Sequence, residues 1–76
     1  MELQKFVQNL ADQFDETDPS EIQAETNFRQ LAEYSSLVAL SIIAMVDEEY
    51  NVRLKGDDIR NSQSVEQLYN LVKERV

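Results

Sequence analysis

Tyr34-Ser35-Ser36-Leu37-Val38-Ala39-Leu40-Ser41-Ile42-Ile43-Ala44-Met45-Val46-Asp47-Glu48-Glu49-Tyr50 joins a serine pair to an unbroken helix-forming run. Ser35 suits the N-cap, because its hydroxyl can accept one of the amide protons that a helix start leaves unpaired. Ser36 then falls in the first turn with its hydroxyl directed outward. That end of a helix is electropositive and favours an attached phosphate. Residue type and position do not single out that role, since most serines at helix starts only cap.

Behind the pair, Ala39, Ile42, Ile43, Val46 and Tyr50 recur at helical spacing and predict one core-facing stripe. Leu37, Val38, Ala44 and Met45 lie largely off it, on the side that carries Ser41 and Glu48. The helix is therefore apolar over more than one face. Two accounts fit: a central helix buried nearly all round, or a helix with a second apolar face that meets a partner. The neighbouring Ser36 favours the partner surface.

Upstream, Leu3, Phe6, Val7, Leu10 and Phe14 keep an i, i+3, i+4, i+7, i+11 pattern with Ala11 beside them, predicting an amphipathic helix over about residues 2–15. Asp18-Pro19-Ser20-Glu21 reads as a cap, a proline at the first helical position and an acid, enough for one short turn. A long connection follows, anchored at Ile22, Phe28 and Leu31, with Asn27 or Thr26 capping a turn that includes Gln30. Downstream, Val52 and Leu54 alternate with charged residues, but a lone strand would have no partner, so the segment is expected to be an extended loop pinned by those two side chains. Gly56 is read as its end and residues 57–60 as a short helical turn. Ser64-Val65-Glu66-Gln67 is a capping box, and Val65, Leu68, Tyr69, Val72 and Val76 continue into a last helix over about residues 65–75.

Composition narrows the function. Seventy-six residues are expected to form one domain, residues 1–76, with a thin core. The chain has no cysteine and no histidine, which removes disulfides, thiolate metal sites, thiol nucleophiles and hydrolase triads built on histidine. One glycine and one proline leave no Gly-rich phosphate loop. A net charge of −8, from 15 acidic against 7 basic residues, opposes nucleic acid and anionic membrane surfaces and suits basic protein partners, although acidity also serves plain solubility. No apolar run is long enough to span a bilayer, and Met1-Glu2-Leu3 does not open like a basic leader, so a cytoplasmic monomer is expected. Asp47-Glu48-Glu49 and Asp57-Asp58 lack the ligand spacing of a dedicated cation site and read as solvated surface, so no metal centre and no catalytic group are assigned.

The layout, Phe28, then Ser36-Leu37, then a long helix ending Asp47-Glu48-Glu49-Tyr50, then Val52, Leu54 and a last helix opening at Ser64-Val65, closely resembles the acyl carrier protein family over nearly the whole chain. That resemblance implies an all-α fold: a small four-helix bundle with a long loop between the first two helices and a short third helix. It aligns Ser36 with the serine that carries a covalent 4′-phosphopantetheine arm derived from coenzyme A. It implies a protein that is not itself an enzyme and that holds acyl intermediates of fatty acid, polyketide or related lipid metabolism as thioesters. The implied partners are a phosphopantetheinyl transferase and acyl-processing enzymes with basic or apolar docking patches, meeting Leu37, Val38, Ser41, Met45, Asp47 and Glu48. Phe28, Ile43, Val46, Ile59 and Leu68 could part to admit an acyl chain, and each is equally accounted for as core.

Members usually have Asp-Ser-Leu followed by another acid, whereas this chain has Ser35-Ser36-Leu37-Val38, and the glycine common just before the motif is absent. The departures point to a specialised carrier with altered partner recognition. They also leave open an acceptor role for Ser35, and an unmodified adaptor that binds a protein partner through its second helix.

Overall fold

A computed structural model describes residues 2–76. Four α-helices follow one another: α1 (Leu3–Ala11), α2 (Ser36–Tyr50), α3 (Gly56–Arg60) and α4 (Val65–Arg75), with short 3-10 turns at Pro19–Glu21 and Phe28–Gln30 in the long α1–α2 connection. No strand occurs among the described residues, and Val52 and Leu54 are buried anchors of an extended segment, as expected from the lack of a partner strand. α1 packs against both α4 and α2. At the centre Phe6 lies between Tyr50 and Tyr69, each ring centroid 5.6 Å away, and Asn9 Nδ2 donates to the Tyr50 hydroxyl at 3.0 Å. An aromatic amid two others buries a large area and adds directional ring contacts, which is how a thin core holds three helices together.

α1 ends at Ala11, four residues short of the expected boundary, although Phe14 stays buried as its spacing requires. Gln13 and Phe14 tighten into i→i−3 bonds with Leu10 and Ala11 at 3.0 Å each. The amides of Asp15, Glu16 and Thr17 then turn to a single acceptor, the Glu33 carboxylate, at 2.7, 3.0 and 2.8 Å, and the Thr17 hydroxyl adds a fourth bond at 2.7 Å. A carboxylate collecting several N–H groups is a stronger acceptor than a helix carbonyl, so the chain leaves the helix for it. The Thr17 hydroxyl, foremost, and the three amides hold the Glu33 carboxyl below its ordinary range. Glu33 is thus the residue that ties the end of the connection back to the end of α1.

The other caps largely follow the residues that predict them. Asp18 accepts from Ser20 N at 2.9 Å and Asn27 from Arg29 N at 3.2 Å. Gln67 N donates to Ser64 Oγ at 3.1 Å, but the return bond of the expected capping box goes one residue further: Gln67 Oε1 accepts from Gln63 N at 2.9 Å. The remaining first-turn amides of α4 are taken by the connection, Val65 N by the Thr26 carbonyl at 3.1 Å and Glu66 N by the Ala24 carbonyl at 2.8 Å. The long loop is therefore stitched to α4 as well as to α1. Gly56 does not break the chain but opens α3, where Asp58 accepts from Lys55 N at 2.9 Å and from both terminal nitrogens of Arg75 at 2.8 and 3.0 Å. That fork, with the Lys55 amide behind it, draws the Asp58 carboxyl below its ordinary range and ties α3 to the end of α4.

Candidate functional site

Ser35 is extended and caps α2, its Oγ accepting from Val38 N at 3.3 Å, while its carbonyl accepts the first helical bond from Ala39 N at 2.9 Å. Ser36 is therefore the first helical residue, and its side chain is exposed. No acidic residue stands in this first turn, so α2 itself places no carboxylate at the positive end of its fifteen residues.

A groove of about 460 Å³ runs between α2 and α3 and includes Ser36 in its wall. Ala39, Leu40 and Ile43 contribute from α2, Gly56, Ile59 and Arg60 from α3, and Tyr34 from the residue pair preceding the cap. Tyr34 is held by an edge-on contact with Phe28, centroids 6.0 Å apart. Of the five side chains expected to admit an acyl chain, Ile43 and Ile59 line the groove. Phe28, Val46 and Leu68 are fully buried and lie in the filled core instead.

The buried face of α2 consists of Val38, Ile42, Met45 and Val46, while Ala39, Ile43 and Tyr50 sit half-buried on its flank. At about 100° per residue this turns the core stripe by roughly 70° from the one read from periodicity. Val38 and Met45, expected on the partner face, are only 8% and 6% exposed. Met45 faces α1, in a polar cleft shared with Asn9, Asp12 and Gln13. Ser41 is half-buried on the same side and spends its hydroxyl on the Leu37 carbonyl at 3.1 Å. The exposed apolar surface beside Ser36 is instead Leu37, 73% exposed, and Leu40, 63% exposed, with Ala44 next along the helix and Asp47 and Glu48 beyond. Leu40 was not singled out in the sequence, although it lies one turn from Ser36; counting i+4 from the serine rather than from Ile42 finds it. Arg60 and Tyr34 carried no sequence signal, because their place at the groove depends on how α3 and the connection fold back.

The structure thus sets an exposed hydroxyl on the first residue of a long helix, with a groove between α2 and α3 opening at it. The family model described as "phosphopantetheine attachment site" matches residues 4–72, and the chain belongs to that family. A search of the curated proteins found no match. The protein is thus a phosphopantetheine-bearing carrier, whose group is a covalently attached 4′-phosphopantetheine. The residues at Ser36 fit that group: an accessible oxygen for the bond, and a helix start whose own first turn carries no acid for the phosphate. When bound, the arm supplies the thiol that this cysteine-free chain lacks.

Proposed function

We propose that Ser36 is the attachment residue and that the protein carries acyl groups, of the fatty acid or polyketide kind, as thioesters for partner enzymes. The observation that carries this reading is the exposed Ser36 hydroxyl at the first turn of α2, beside the α2–α3 groove. Loading forms a bond from Ser36 Oγ to the phosphorus of coenzyme A nearest the pantetheine. The pyrophosphate P–O bond breaks, adenosine 3′,5′-bisphosphate leaves, and the hydroxyl proton passes to a base of the transferase. Ile43 and Ile59 offer apolar surface to the acyl chain. Leu37 and Leu40 supply an exposed anchor, and Asp47 and Glu48 a charge, to a docking enzyme with an apolar pocket and a basic rim. On this reading the carrier is a cytoplasmic monomer that meets its partners transiently.

The test is intact mass before and after incubation with coenzyme A and a broad-specificity phosphopantetheinyl transferase, with fragmentation to place the addition. One phosphopantetheinyl unit on Ser36 is expected. Addition on Ser35 would keep the function and move the site. A folded protein that gains nothing from several transferases would replace this reading with an unmodified adaptor docking through α2.

A further inference from the structure

Among the described residues Arg60 is the single charged side chain that lines the α2–α3 groove, although the chain as a whole carries −8. The guanidinium thus brings a positive charge, paired with the neighbouring Asp57, to the groove that Ser36 also lines. The guanidinium lies over Gly56: a Cβ built there would stand 3.3 Å from Arg60 Nη1. Gly56 has no positive φ, so its backbone does not demand glycine. The present partner of Arg60 is the Asp57 carboxylate, one turn away on α3, with both side chains mostly exposed. A pair so open to water is weakly held, and its cation can turn to a better-placed anion.

Resting on the carrier reading above, we infer that Arg60 is the anion-holding residue of the groove: its guanidinium pairs with a negatively charged group carried by the arm on Ser36. Two groups on such an arm have that chemistry, the phosphodiester next to Ser36 Oγ and a carboxylate at the end of a dicarboxylic acyl cargo. A planar guanidinium suits either, since both present two oxygens to its fork of donors. Pairing with the phosphodiester would fix the root of the arm along the groove; pairing with a cargo carboxylate would make Arg60 a specificity-determining residue for charged acyl groups.

The test uses the full chain in four forms: unloaded, and loaded by a transferase from coenzyme A, butyryl-coenzyme A or succinyl-coenzyme A, each verified by intact mass. In nitrogen-15-labelled protein, the Arg60 Nε–H resonance is expected to shift on loading. A shift common to all three loaded forms assigns the phosphodiester, and a shift confined to the succinyl form assigns the carboxylate. The form that pairs is expected to melt roughly 2–5 °C above the unloaded protein, a gain that Arg60→Gln reduces by at least half. An Arg60 resonance that stays in place in every loaded form overturns the inference, as does Arg60→Gln melting with the parent's full gain. If the parent never gains mass, the carrier reading itself fails and takes this inference with it, so the two failures are told apart by the first measurement.

Discussion

At Ser35 and Ser36 two adjacent hydroxyls divide two tasks by position alone. The first is turned back to Val38 N and the second is left outward. Removing the cap in Ser35→Ala is expected to cost about 1 kcal/mol and lower the melting temperature by roughly 4–8 °C. Ser36→Ala, which removes an exposed hydroxyl, is expected to change stability by less than about 0.5 kcal/mol while abolishing any gain of mass with the transferase. Calorimetry and mass spectrometry on the pair separate capping from attachment. Asn51 offers a third test. It ends α2 in the left-handed region, φ 59° and ψ 36°, with its N–H on the Asp47 carbonyl, and a side-chain amide tolerates that conformation better than a plain Cβ does. Denaturant unfolding of Asn51→Ala is expected to show a loss of about 1 kcal/mol, and Asn51→Gly little or none.

α2 as an element breaks one electrostatic rule. Its last turn carries Asp47, Glu48 and Glu49 and no basic residue, so like charge stands at the negative end of the helix dipole. The double substitution Asp47→Asn, Glu48→Gln is expected to stabilise the protein by about 0.5–1.5 kcal/mol at low ionic strength, a gain that salt erodes. If those carboxylates serve docking, the same variant raises the transferase KM with little change in kcat, since they act on encounter and not on the phosphoryl transfer. A gain in stability with an unchanged KM would assign them to solubility alone.

Across the whole molecule, two carboxylates hold what the hydrophobic core does not reach. Glu33 joins the connection to the end of α1, and Asp58 joins α3 to α4 through Arg75. Both titrate below their unfolded values, about 4.5 for the glutamate and 3.8 for the aspartate. A depressed folded value means that the stabilisation is fully present above the unfolded value and is lost as pH falls through the folded one. Unfolding followed from neutral to acid pH should therefore show stability level down to about the unfolded values and declining below them. Glu33→Gln is expected to be less stable than the parent at neutral pH, with the difference closing as the parent's own carboxylate is protonated; a difference that persists unchanged into acid would refute the role given to Glu33.

Local rules carried much of this protein. Periodicity marks the helices, Asp18, Asn27, Ser35 and Ser64 mark their starts, and Val52 and Leu54 declare a pinned loop, because a cap or an amphipathic stripe is settled within a few residues of chain. Ser36 belongs to this legible part: its place follows from the cap before it. The rotation of α2 does not, because a helix apolar on several sides has no local preference for which side is buried. α1 made that choice by covering Met45 and leaving Leu40 to solvent. The early end of α1 and the groove wall at Arg60 were decided the same way. Each rests on residues brought together from distant parts of the chain, Glu33 against Thr17 and α3 against α2. Contacts of that kind leave no periodic trace, so only the tertiary structure could place them.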